Sequence, residues 1–172
     1  MRQILFFVLF LNFSTKELFA GPKHFSWKPA PKYKWALGAR LGSPISASVK
    51  YFHNQYSAFE FTAGYYKYND NGNWKQVAIS YQYHISITEK RLLHFYGGVG
   101  LASLFWTYGP GWRAGTFPEN TYASFLLVGL DYKFKSMPIN LSLDWTPFFQ
   151  FSGVDEGLGI SYGSLAVRYI LK

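Results

Sequence analysis

From about residue 33 onward, apolar residues recur at every second position through eight successive segments, and nearly every charge inside those segments falls on the opposite parity. Arg40, Lys50, Glu60, Asp131, Lys133, Asp144 and Arg168 are each flanked by residues such as Leu41, Val49, Phe59, Leu130, Tyr132, Leu143 and Val167. A period of two is the signature of β-strands, because successive side chains leave a strand on opposite faces. The pattern predicts strands at Tyr33–Gly42, Ile45–Phe52, Tyr56–Tyr68, Trp74–Ile87, Leu92–Trp106, Thr121–Lys135, Ile139–Phe151 and Gly159–Leu171. No segment of useful length carries a helical period.

Eight is an even count, as a closed up-and-down barrel of one chain requires. The links alternate as such a barrel predicts. Those at His53–Gln55, Thr88–Arg91 and Ser136–Pro138 are tight, and those at Asn69–Asn73, Thr107–Asn120 and Ser152–Leu158 are longer. The link at Gly42–Pro44 departs from the alternation by being short.

Parity alone leaves open which face is wet, and the energetics of charge decide it. A charge at the midplane of a lipid-facing surface costs about 2–4 kcal/mol, whereas a crowded lumen lets Arg40, Lys50 and Arg168 pair with Glu60, Asp131 and Asp144. The expected fold is an all-β, eight-stranded antiparallel transmembrane β-barrel with aliphatic side chains outward and this charge network inward. Two aromatic girdles are expected at its rims. Trp35, Tyr51, Tyr56, Tyr83, Phe95, Tyr132 and Tyr169 fall toward the tight turns. Tyr65, Tyr66, Trp74, Trp106, Trp145, Phe148 and Phe149 fall toward the longer loops. Lys67 and Lys75 share the outward parity but flank a loop, where long side chains reach headgroups.

The first twenty residues read as a secretory signal peptide: Arg2, a short apolar run from Ile4 to Phe13, and a cut near Ala20. That apolar run is too short for a spanning helix. Residues 21–32 form a basic, proline-bearing lead-in, and residues 33–172 form the barrel, with both termini expected in the periplasm. The 172-residue chain has no cysteine, so neither disulfides nor a lipidated N-terminal cysteine is available. Aromatic residues make up 22% and charged residues 15% of the chain, a balance unlike that of ordinary soluble domains. The net charge of +8 is dispersed, with no basic run or nucleic-acid-binding motif. It points to lipid phosphates rather than nucleic acid.

The stretch Ala36-Leu-Gly-Ala-Arg-Leu-Gly42 followed by Ser48-Val-Lys-Tyr-Phe52 resembles the first hairpin of a family of small outer-membrane β-barrel proteins of Bacteroidetes-type bacteria. Tyr81-Gln-Tyr-His84, Tyr96-Gly-Gly-Val-Gly100, Pro138-Ile-Asn-Leu-Ser-Leu-Asp-Trp145 and Leu165-Ala-Val-Arg-Tyr-Ile170 share the likeness. The resemblance implies a barrel of the OmpA/OmpX type and contributes no catalytic residues. Such barrels usually end on an aromatic residue, whereas this chain ends Ile170-Leu171-Lys172.

For chemistry, the lumen of eight strands is just wide enough to be filled by side chains. Inward Phe52, Tyr96, Phe125 and Tyr162 are expected to plug it, with Gly38, Gly64, Gly98, Gly100 and Gly129 making room, rather than to leave a ligand cavity. His84 and Ser86 share the inward face two residues apart, as in the His-x-Ser pair of lipid A deacylase barrels, but Ile87-Thr-Glu-Lys90 stands where the rest of that motif would be. His24, His53, His84 and His94 lack metal-ligand spacing. The sequence therefore predicts no catalytic, cofactor or metal site. The expected function is a structural, surface-interaction or envelope-protective role in the outer membrane without an open diffusion pore. The expected partners are lipopolysaccharide and other outer-membrane lipids, with the barrel-assembly machinery during insertion, and the expected state is a monomer. A lipid-A-modifying enzyme and a soluble lipocalin-like barrel are the alternatives. Trp112, Arg113 and Phe117, in the longest loop, are the candidates for outside contact, since Trp and Arg anchor interfaces.

Overall fold

The structure, a computed structural model, describes residues 33–68, 72–88, 90–108, 120–152, 157–159 and 163–171. The signal-peptide and lead-in assignments lie outside these residues, as do Trp112, Arg113, Phe117 and Tyr162.

Ten strand segments form one antiparallel sheet: β1 (Trp35–Leu41), β2 (Ile45–Phe52), β3 (Ser57–Tyr68), β4 (Gly72–Ser86), β5 (Leu93–Tyr108), β6 (Asn120–Lys133), β7 (Ile139–Trp145), β8 (Phe148–Ser152), β9 (Gly157–Gly159) and β10 (Ser164–Leu171). Each segment through β7 pairs with its predecessor, β10 pairs with both β7 and β1, and the β5–β6 ladder completes the ring. The result is a closed eight-stranded antiparallel β-barrel, as the alternating pattern predicts. Closure leaves no free sheet edge along the barrel wall.

The two supernumerary segments correct the sequence reading. The expected seventh strand is split at Thr146–Pro147, yet β7 pairs with β6 as far as Val128↔Trp145 and β8 resumes in the same register at Phe125↔Phe148. Proline has no N–H to give to the ladder, so only the bond from Leu126 N to the Pro147 carbonyl, at 3.0 Å, survives at this position. The expected link Ser152–Leu158 carries most of β9, which pairs with β8, while β10 pairs with β7.

Two of the tight turns are held by local side-chain bonds. Asn54 Oδ1 accepts from Tyr56 N and Ser57 N, both at 2.8 Å, and Thr88 Oγ1 accepts from Leu92 N at 3.1 Å. Such Asx and Thr turns substitute for backbone pairing where a strand reverses.

Side-chain parity follows the sequence reading around the ring. Ile45, Leu101, Leu126 and Leu143 point outward and are roughly 60% exposed (62%, 59%, 58% and 58%), while Lys50, Gln82, Asp131 and Arg168 point inward with no exposure. Lys67 and Lys75 are exposed, as expected. One group of aromatics is misplaced by the sequence reading. Tyr66, Trp74, Trp106 and Phe148 pair in register with the inward set and face the lumen rather than an outer girdle. Near the strand ends, rim position alone does not say inside or outside; only register does. The outward rings at that end are Tyr65, Phe105, Tyr122, Trp145, Phe149 and Phe151.

Candidate functional site in the barrel lumen

The six charges singled out in the sequence converge on one layer in the middle of the lumen. Glu60 on β3 is its hub: one oxygen accepts from Arg40 Nη1 at 3.1 Å, from Ser48 Oγ at 2.6 Å and from Arg168, and the other accepts from Gln82 Nε2 at 2.6 Å. Arg40 also donates to Asp144, which accepts from Tyr96 Oη at 2.6 Å and Ser164 Oγ at 2.7 Å. Lys50 Nζ binds Asp131 at 3.1 Å and lies 4.0 Å from Glu60, while Asn140 donates to the second oxygen of Asp131. Arg168 donates through Nε to Ser48 at 2.7 Å and through Nη1 to Ser142.

Three cations and three anions thus neutralise one another, and each anion also accepts hydrogen bonds from neutral donors. A buried charge is tolerated only on those terms. Arg40 thus pairs with Glu60 and Asp144, Lys50 with Asp131, and Arg168 with Glu60. Lys50 and Glu60 face each other across neighbouring strands, but the other pairs join strands that are not neighbours. Glu60 and Arg168 are 108 residues apart, and Lys50 and Asp131 are 81.

Between this layer and the tight turns lies a stack of rings. Tyr33 meets Phe52 edge-on at 4.9 Å, Phe52 meets His84 at 4.9 Å, and His84 stacks on Tyr96 at 4.8 Å and 14°. Lys50 Nζ sits 4.7 Å from the centre of the Tyr96 ring, a cation–π contact that joins the stack to the charges. Sequence parity did not assign Tyr33 to the interior. The chain bends at Lys34, whose carbonyl accepts from Phe52 N at 2.9 Å, and the bend turns the Tyr33 ring into the lumen.

Two of the inward glycines make room for rings, as expected. A Cβ on Gly129 would lie 2.9 Å from Tyr96 Cζ, and one on Gly100 would lie 2.2 Å from Phe125 Cζ. Gly38 and Gly98 instead lie against the backbone of the neighbouring strand, and Gly64 against Ser46 and Pro44.

His84 and Ser86 are not coupled. Ser86 Oγ donates to the Thr88 carbonyl at 2.9 Å, and His84 Nε2 lies 3.2 Å from Gln82 Oε1. A nucleophile needs its hydroxyl within reach of the base, and this one is turned toward the tight turn. Among the described residues no group of three or more His, Cys, Asp or Glu side chains is placed to hold a metal ion.

The loop-end half of the lumen corrects the expectation of a filled interior. Above the ionic layer lies a cavity of about 320 Å³, floored by Arg40 and Glu60 and walled by Ala78, Leu104, Ala123 and Leu127. The inward small residues that create it look, one by one, like ordinary barrel interior, so the alternation alone does not reveal it.

No protein-family model matches the chain, and no curated protein matches it. Among solved structures, the N-terminal β-barrel domain of Pseudomonas aeruginosa OprF is similar, with a TM-score of 0.51 and 16% identity over 80% of this chain and 95% of that one. At that identity the likeness speaks for the fold alone, a closed antiparallel β-barrel.

Proposed function

We propose that this protein is an integral outer-membrane β-barrel with a structural, surface-interaction or envelope-protective role, without catalysis and without an open diffusion pore. The observation that carries this reading is the inversion of the molecule. A belt of exposed aliphatic and aromatic side chains surrounds the barrel, while Lys50, Glu60, Asp131 and Arg168 lie inside with 1% exposure or less. A water-soluble barrel needs the reverse arrangement, as does the lipocalin-like alternative, whose lumen is apolar. Outward Trp35, Tyr51, Tyr83 and Tyr169 at one end and Tyr65, Trp145 and Phe149 at the other are suited to headgroup layers.

In this reading lipopolysaccharide and other outer-membrane lipids are the surrounding partners, the barrel-assembly machinery inserts the chain, the termini are periplasmic, and the protein acts as a monomer. The ionic layer and ring stack favour a closed lumen, because they occupy the cross-section with paired side chains. Trp112, Arg113 and Phe117 remain the proposed outer contacts. The lipid-A-modifying alternative draws no support from the uncoupled His84 and Ser86. Cell fractionation tests the assignment: the protein should partition with outer membranes and require detergent for extraction. Planar-bilayer recordings should show no sustained conductance. Recovery in the periplasmic fraction without detergent would overturn the proposal.

A further inference from the structure

The cavity at the loop end has an apolar, concave wall on which the strand register sets small residues side by side. Ala78 pairs with Ala102 and Ala102 with Ala123, so three alanines lie side by side across β4, β5 and β6. The same row continues to Thr62 on one side and Gln150 on the other. Neighbouring strands are about 4.8 Å apart, so the alanine row measures about 10 Å along the curved wall, room for a molecule of one or two rings. Leu104 and Leu127 border it, and the Trp74 and Trp106 rings, 5.6 Å apart, stand at the edge nearer the loops. The row of small residues is a recess rather than packed core, because nothing among the described residues fills the space in front of it.

The ends of the recess and one position beside it are polar: Thr62 and Gln150 end the alanine row, and Gln76 stands next to Leu104 in the adjoining row. Thr62, Gln76 and Gln150 line the cavity, and their side chains make no hydrogen bond among the described residues. The charges of the floor, by contrast, are already engaged: Arg40 bridges Glu60 and Asp144. A ligand's own charge would find no free counter-ion there and would lose its hydration on entry. Ligand sites combine an apolar surface with a few convergent polar groups, and this one supplies both without a net charge.

We propose that the loop-end lumen binds a small, uncharged amphiphile whose apolar part lies on Ala78, Ala102 and Ala123 and whose polar edge meets Thr62, Gln76 or Gln150. The proposal goes beyond the structural role above and rests on the lumen geometry alone, whichever compartment the mouth faces.

Indole is a suitable probe, and benzoate is its charged counterpart of similar size. In the purified full-length mature protein in detergent, with alanine methyls ¹³C-labelled, indole should give saturable shifts and intermolecular NOEs at Ala78, Ala102 and Ala123. Benzoate should bind at least tenfold more weakly. The Ala102→Leu substitution, which fills the recess, should abolish the response at Ala78 and Ala123. Gln150→Leu should weaken binding several-fold in a barrel that keeps its heat-modifiable gel migration, and it serves if Ala102→Leu fails to fold. Non-saturating shifts confined to outward methyls such as Val99 and Leu101 would overturn the proposal, since they report solution in the micelle. So would benzoate binding as tightly as indole, or NOEs in the ligand-free protein from the Trp112 indole to the three alanine methyls.

Discussion

Arg168 on β10 and Glu60 on β3 are joined by a direct, fully buried ion pair across the lumen, although their strands are not neighbours in the sheet. Backbone ladders hold each strand to the next. This pair, with Arg40 to Asp144 and Lys50 to Asp131, ties strands across the interior and fixes the rotational position of each strand relative to the others. A slip of one residue in β1, β2, β3, β6, β7 or β10 would turn its charge outward, so the ionic layer makes the register of those strands all-or-none.

Removing the hub should therefore be costly. Glu60→Ala leaves Arg40 and Arg168 without one carboxylate and strips acceptors from Ser48 and Gln82. Breaking a buried pair typically costs about 3–5 kcal/mol. Urea unfolding of the detergent-folded barrel should show a loss in that range, with a lower temperature for the heat-modifiable gel shift. An unchanged midpoint would mean that the layer is not a stabilising network.

Removing both partners should cost less than the two single losses together. The Glu60→Leu, Arg168→Leu double variant exchanges an ion pair for apolar volume and leaves no lone charge from this pair. Its unfolding free energy should lie closer to wild type than the sum of the single variants predicts, in a double-mutant cycle on the same equilibrium. Strict additivity would show that the two residues are energetically independent.

Two glycines near one another should respond very differently to the same substitution. At Gly129 a Cβ would lie 2.5 Å from the Leu143 carbonyl and 2.6 Å from Asp144 Cβ. Gly129→Ala should thus lose about 1–3 kcal/mol, as overpacking does. Gly97 has only the Leu127 carbonyl at 3.8 Å, and Gly97→Ala should change stability by less than about 0.5 kcal/mol. Equal effects in parallel unfolding titrations would contradict the packing assigned to Tyr96 and Asp144.

Much of this was written in the alternation of the strands. All six interior charges, the tight turns and the closed eight-strand ring follow from period-two patterning, because a charge on the wrong face of such a barrel is too expensive to keep. Other features depend on register or on local bends, which composition does not encode. Tyr33 enters the lumen through a bend at Lys34. Trp74 and Trp106 occupy inward positions that rim location alone assigned to the outside. Pro147 interrupts a strand that otherwise keeps its pairing. The cavity is visible only once Ala78, Ala102 and Ala123, drawn from three separate strands, are set side by side.

The outward belt also makes a depth-dependent prediction. Leu101 lies mid-strand on β5 and Leu158 on the short β9 at the loop end. In lipid, Leu101→Arg should cost about 2–4 kcal/mol, whereas Leu158→Arg should cost about 0–1 kcal/mol. Folding equilibria in liposomes check this. Equal small costs at both positions would show that the middle of the barrel does not contact hydrocarbon.

The central claim, that the apolar parity contacts acyl chains and the polar parity does not, is tested most directly by a spin-label scan. The chain has no cysteine, so single cysteines placed successively from Val99 to Leu104 on β5 can be labelled and read in bilayers with molecular oxygen and a water-soluble nickel chelate. The account predicts high oxygen and low nickel accessibility at 99, 101 and 103, and low oxygen accessibility at 100, 102 and 104. High nickel accessibility at 99 and 101 would contradict it.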